Sequence, residues 1–142
     1  GDGGPALDAS FSNWGDVSGD GTVVHVADAN NRIRKIESGI MTTVALLARV
    51  PYSIAADGYG NVYFAERTPM AGALVRRLDS NGITTIGEFA AAAEDPKMPG
   101  GPLTVDLAVD SAGDLFVFEI GNAREIIYVI TALYTSPYQL II

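Results

Sequence analysis

The residues most able to do chemistry in this chain are three acids at matching places, Asp28, Glu66 and Glu119. Gathered round one axis, three carboxylates would hold a metal ion. Each closing a strand and pairing with a nearby Arg, they would instead do structural work. Repetition in every unit favours the structural use, because sites break symmetry whereas scaffolding repeats it. Asp16-x-Ser18-x-Asp20-Gly21 begins like a calcium loop, with oxygen donors at alternate positions. Such a loop ends in a bidentate Glu at its twelfth position, where this chain has Ala27. A turn is therefore expected. His25 is the sole histidine and sits between Val24 and Val26. One imidazole is too few for a zinc site built on several, and no Ser and Asp partners for a triad are identifiable. Packing in a strand is its expected use.

Gly1-Asp2-Gly3-Gly4 has neither a preceding strand nor a following Gly-Lys-Ser/Thr, so it does not fit a phosphate loop. Arg32, Arg34, Lys35, Arg76 and Arg77 make a basic stripe, but Asp28, Glu37, Glu66 and Asp79 accompany it. Local ion pairing is expected there rather than RNA binding. Trp14, Tyr52 and Tyr59 are candidate contact residues on an exposed face, with packing at the entry of an innermost strand as the other reading for Trp14 and Tyr52. No residue is assigned a catalytic, cofactor-binding or metal-binding role, and no cofactor is expected.

The elements that position these residues come from an internal repeat. GDVSGDGTVVHVAD (15–28), SIAADGYGNVYFAE (53–66) and DLAVDSAGDLFVFE (106–119) align without a gap. Each is a short apolar strand, a Gly/Asp turn, a second apolar strand and a terminal acid. A third strand follows at Arg32–Ile36, Leu74–Leu78 and Glu125–Ile130. A fourth follows at Ile40–Val44 and Ile83–Ile86, with Tyr138–Ile142 taking that place in the last unit. The acids lie 38 and then 53 residues apart, so the second interval carries an insertion. Four-stranded units at a period near forty predict propeller blades.

The chain is thus expected to be all-β, a propeller segment of three four-stranded antiparallel blades, half of a six-bladed ring. Its parts are a linker at 1–13, blade one at 14–46, blade two at 50–87, an insertion loop at 88–101 and blade three at 102–142. Composition agrees: 142 residues suit one domain, and 48% apolar with 18% charged residues suits a packed chain. A net charge of −8 disfavours nucleic acid and anionic membrane surfaces. The absence of cysteine excludes disulfides and thiolate chemistry. Thr, Ser, Pro and Gln interrupt the β-branched C-terminal stretch, which argues against a membrane span.

GDGGPALDASF, VADANNRIRKI, GIMTTVA and NGITTIG resemble bacterial NHL-repeat proteins. The match is close in the first unit, fair in the second and worn in the third, where Arg124 survives without the basic pair. The resemblance implies a propeller, commonly six-bladed, that serves as an interaction scaffold. It also implies an extracellular or periplasmic location. On this basis the expected function is a non-enzymatic scaffold that binds a protein, glycan or small ligand through blade loops. The alternative is a metal-dependent propeller hydrolase or lyase, with Asp16 and Asp106 as donors.

Blades bury both faces against neighbours, so an open row of three leaves two faces to be covered. The row is completed by missing blades from the rest of a longer chain or from a second copy, or by packing on a different protein. The start at Gly1 and the end at Ile142 put the longer chain first among these expectations.

Overall fold

The structure is a computed structural model that describes residues 1–12, 15–70, 72–90, 104–120, 125–130 and 139–141. The first sheet holds β1 (Asp16–Gly19), β2 (Val23–Asp28), β3 (Arg32–Glu37) and β4 (Ile40–Leu46). The second holds β5 (Pro51–Ala56), β6 (Val62–Arg67), β7 (Ala73–Asp79) and β8 (Gly82–Phe89). The third holds β9 (Thr104–Val109), β10 (Leu115–Ile120), β11 (Glu125–Ile130) and β12 (Gln139–Ile141). In every sheet the strands lie in chain order and pair antiparallel. β1 lies against β5 and β5 against β9, so the first strand of each sheet is innermost and the sheets stand side by side as blades. This is the partial β-propeller expected from the repeat.

Alternation along each strand sends successive side chains to opposite faces, so the middle blade has two apolar faces. One carries Ile54, Ala56, Val62 and Phe64, which pack with Ala27 and Ile33 of the first blade. The other carries Ala55, Tyr63, Ala65, Val75 and Phe89, which pack with Val105, Leu107, Leu115 and Val117 of the third. The side of a blade towards the next one in the chain is here its forward face, and the opposite side its rear face.

The gapless alignment needs one correction. β1 pairs Gly19 with Val24, whereas β5 pairs Ala56 with Val62 and β9 pairs Val109 with Leu115. The first hairpin loop is therefore one residue shorter than the other two. With the second strands aligned, Asp16, Ser53 and Asp106 become equivalent, each opposite Ala27, Ala65 or Phe118. The longer loops place Gly60 at φ 93° and Gly113 at φ 87°, backbone that a β-carbon would strain.

Element bounds differ slightly from those expected. β8 extends through Phe89, so Glu88 and Phe89 belong to the second blade and not to the insertion. The rest of the insertion loop, at 91–101, lies outside the described residues. β12 spans Gln139–Ile141, within the expected fourth strand.

The N-terminal segment, expected as a linker, is fastened to the first blade. Gly3 N–H donates to Met41 O at 2.8 Å, Met41 N–H to Gly4 O at 3.1 Å and Ala6 N–H to Gly39 O at 2.8 Å. Pro5 bridges Ile40 antiparallel, which covers part of the otherwise open edge of β4. Among the described residues no helix is long and apolar enough to cross a membrane, a statement that does not bear on β-barrels.

Candidate functional site

The strand starts nearest the axis carry a polar row. Asp16 Oδ2 accepts the Ile54 N–H of the next blade at 2.9 Å, and its Oδ1 accepts the Val17 N–H at 2.8 Å. Ser53 Oγ accepts the Leu107 N–H at 3.2 Å and donates to Asp106 Oδ1 at 3.1 Å. The same step is thus made twice: a polar side chain takes a backbone N–H from the following blade's innermost strand. Ser18 Oγ adds a third such bond, from the Ala56 N–H at 2.9 Å. Asp106 Oδ1 also accepts the Leu107 N–H at 3.0 Å, and among the described residues no donor reaches Oδ2. Asp106 is exposed.

Asp16, Ser18 and Asp20 do not converge as a calcium loop would require. The first two face the second blade, while Asp20 serves its own turn. Asp20 Oδ1 accepts the Thr22 N–H at 2.9 Å, the Thr22 hydroxyl at 2.9 Å and the Val23 N–H at 3.0 Å. The Val23 and Thr22 donors hold its pKa at about 2, below an ordinary value of 3.8. A carboxyl depressed on folding stabilises the fold fully above its unfolded pKa, and that contribution is lost as pH falls through the folded pKa. We therefore expect the urea midpoint of the wild type to lose its advantage over Asp20→Asn between about pH 4 and pH 2. An advantage that does not change over that window would contradict the assignment.

Asp57 and Asp110 open the other two turns in the same manner. Asp57 Oδ1 accepts the Tyr59 and Asn61 N–H groups at 2.9 and 2.8 Å, and Asp110 Oδ1 those of Ala112 and Asp114 at 2.9 and 3.0 Å. A pocket of about 400 Å³ lies at this end, lined by Asp20, Asp57, Tyr59, Asp110 and Ser111 with their neighbours. Tyr59 is 72% exposed and donates its hydroxyl to Ser111 O at 3.0 Å. Sequence reasoning missed Asp57 and Asp110 because a gapless alignment sets them opposite Gly19 instead of Asp20.

The three repeated acids each bond a third-strand side chain of their own blade. Arg34 approaches Asp28 Oδ2 at 3.5 Å, Arg76 donates to Glu66 Oε2 at 3.2 Å, and Tyr128 donates to Glu119 Oε2 at 2.8 Å. The register is the same each time: Arg34, Arg76 and Tyr128 lie opposite Val26, Phe64 and Val117. Tyr128 therefore stands in the third blade where Arg stands in the first two. No group of three or more His, Asp or Glu able to hold a metal exists among the described residues.

The basic stripe is paired throughout. Arg32 meets Asp28 at 2.8 Å, Lys35 meets Glu37 at 2.7 Å and Arg77 meets Asp79 at 2.9 Å, besides the Arg34 and Arg76 contacts. Arg34 is wholly buried. Burial raises the Asp28 pKa, but the Asn30 N–H and the Arg32 guanidinium outweigh it, so the net shift is downward. His25 packs within its strand, its Nδ1 buried with no hydrogen-bond partner among the described residues, and desolvation lowers its pKa. Tyr52 is not a contact residue on an open face: its hydroxyl accepts the Val105 N–H at 3.2 Å and Arg67 stacks on its ring at 4.8 Å. Trp14 and Arg124 lie outside the described residues.

Known proteins resemble this arrangement in fold. No family model matches the sequence, and no curated protein matches it. Among solved structures, a gluconolactonase from Xanthomonas campestris superposes with a TM-score of 0.60 at 13% identity. That match covers 93% of this chain and 48% of the gluconolactonase. A Thermus thermophilus protein assigned as an oxidoreductase (glucose dehydrogenase) gives 0.51 at 16% identity, over 81% of this chain and 38% of that one. The chain thus spans about half the length or less of the solved proteins it matches. At these identities the likeness is one of fold. It is a propeller fold.

Proposed function

We propose that the chain supplies part of the wall of a propeller hydrolase acting on a small, oxygen-rich substrate at the ring axis. The observation that carries this reading is Asp106, an exposed carboxylate on an innermost strand whose Oδ2 meets no donor among the described residues. The names of the structural neighbours, a gluconolactonase and a glucose dehydrogenase, lend support and suggest a sugar-derived lactone as the substrate class. Asp106 would take a proton from the attacking water, a role usually contributing about 10²–10⁴-fold to rate. The described residues do not by themselves form a metal site, so no metal-dependent step is assigned to them. Within the propeller fold, the Arg32-Ile33-Arg34-Lys35 strand after an Asn-rich turn supports descent from NHL-type repeats.

A second reading, the non-enzymatic binding scaffold, is favoured by how the other acids are used. Both oxygens of Asp16 accept backbone N–H groups, and Asp28, Glu66 and Glu119 bond side chains of their own blades. The two readings part on one experiment. Purified particles of full-ring mass are assayed on aldonolactones with and without Ca²⁺, Mn²⁺ or Zn²⁺, for the wild type and Asp106→Asn. The hydrolase reading expects turnover that falls at least about 100-fold in the variant, with ring mass unchanged. No turnover under any condition, or an unchanged rate in the variant, overturns it and leaves the scaffold.

A further inference from the structure

Among the described residues, no blade packs on the forward face of the third blade. Opposite the buried Val117, the face carries Phe116 and Phe118, with Ala108 and Asp106 beside them on β9 and Ile127 on β11. Ala108 and Asp106 are exposed, Ile127 is 47% exposed, and the two Phe side chains are half-buried. In register these positions match Tyr63, Ala65, Ala55, Ser53 and Val75, the face by which the second blade receives the third. Asp106 shares its register position on the innermost strand with Asp16 and Ser53.

The rear face of the first blade is open in the complementary way. Val17 is 63% exposed and Val24 39%, whereas their second-blade equivalents Ile54 and Val62 are each 3% exposed. The N-terminal segment covers the outer part of this face, over Val26, Asp28 and Arg34, and presents the half-exposed Phe11 beside it. Among the described residues nothing covers the inner part, at Val17 and Val24.

We propose that the occupant of the third blade's forward face is the first blade of a second copy of this chain, and that two copies close a ring head to tail. The chain carries both halves of an interface it already makes twice internally, so a second copy offers the required complement. Closure by two copies is consistent with a match to 48% of the gluconolactonase, a propeller about twice this length. A heterologous contact that closes after two steps leaves no blade face open. Ring closure depends on the repeat geometry and not on hydrolase activity, so each can fail without the other.

The test uses two reciprocal variants, Val24→Lys on the first blade and Phe116→Glu on the third. Their equivalents on the second and third blades, Leu115 and Tyr63, share one buried cluster. Light-scattering mass is measured on the 142-residue chain, with thermal melts to confirm that each variant folds. The wild type should have twice the 14.9 kDa mass of one chain. Each variant alone should dissociate, its dissociation constant rising about 100-fold or more, because every interface then buries an unpaired charge. An equimolar mixture should dimerise again, with one native interface and one Lys–Glu pair. A wild-type monomer or aggregate, a dimer that both variants leave intact, or a mixture that stays monomeric overturns the proposal. A stable monomer would assign the face to further blades of a longer chain.

Discussion

Arg34→Ala is expected to cost about 3–5 kcal/mol of folding stability, the usual result of breaking a buried ion pair from one side. The Arg34 side chain has no solvent exposure and is held on four sides. Its Nε and one terminal nitrogen donate to Asp2 Oδ1 at 3.1 and 2.9 Å, the other terminal nitrogen donates to Ser10 O at 3.0 Å, and Phe11 lies over its plane at 5.1 Å. That second nitrogen also faces the fully buried Asp28 at 3.5 Å. Removal strips Asp28 of one of its two guanidinium partners and leaves Arg32, Ser12 and the Asn30 N–H to hold its charge. It also unfastens the N-terminal segment, since among the described residues Asp2 then keeps only Thr43 at 2.6 Å and Arg32 at 3.6 Å. A lysine in that place lacks the planar fork and the stacking face, so Arg34→Lys should recover only part of the loss. Chemical denaturation gives the magnitude, and amide exchange gives the location. Protection should fall at Gly3, Ala6 and Met41, the amides that tie the segment to β4. A loss below about 1 kcal/mol, or unchanged exchange at those amides, would contradict this role.

Arg34 also shows where sequence reasoning stopped. The blades were legible because each second strand repeats a local pattern of apolar alternation, Gly/Asp turn and terminal acid. That pattern needs no knowledge of distant residues. The use of Arg34 depends on Asp2, 32 residues earlier, and no periodicity links the two. The segment from Gly1 to Phe11 therefore has the composition of a linker, although its backbone bonds β4 and its Asp2 completes a buried cluster. The shortened first turn was hidden for a different reason. Asp20 has a Gly after it, as a tight turn needs, and aligning the strongly apolar second strands absorbs the missing residue without a visible mismatch. Once the gap is placed, Asp16, Ser53 and Asp106 fall into one row. Of these the sequence alone pointed to Asp16 and Asp106. Ser53 escaped notice because a single hydroxyl at a strand start carries no chemical signature. The exchange of Arg for Tyr128 was hidden too, since a phenol and a guanidinium share only the ability to donate a hydrogen bond to Glu119.

Phe64→Ala is expected to cost a further about 3–5 kcal/mol, by emptying a large apolar site at the seam between two blades. Phe64 is wholly buried and packs in one cluster with Ala27 and Ile33 from the first blade and Ile54, Ala56 and Val62 from its own. Two of those five neighbours are alanines, and the sheet backbones on both sides are fixed by their ladders. The space left by a phenyl ring is thus filled poorly by relaxation, which places the cost towards the upper end of the range. Phe64→Leu keeps most of the volume and should cost about 1–2 kcal/mol, so the ratio of the two losses reports the cavity rather than the strand. The consequence for the assembly is more informative than the total. Blades in a row are stabilised by their own sheets and by each interface with a neighbour. Loss of the Phe64 contact should therefore uncouple the first blade from the other two before it melts either sheet. Exchange would rise first at Ile54 and Ala56, whose N–H groups are held across the seam by Asp16 and Ser18. The ladders within β6 and β7 would exchange later. Simultaneous loss of protection through all three blades would show instead that the three fold as one cooperative unit, and that the seam at Phe64 is no weaker than the sheets it joins.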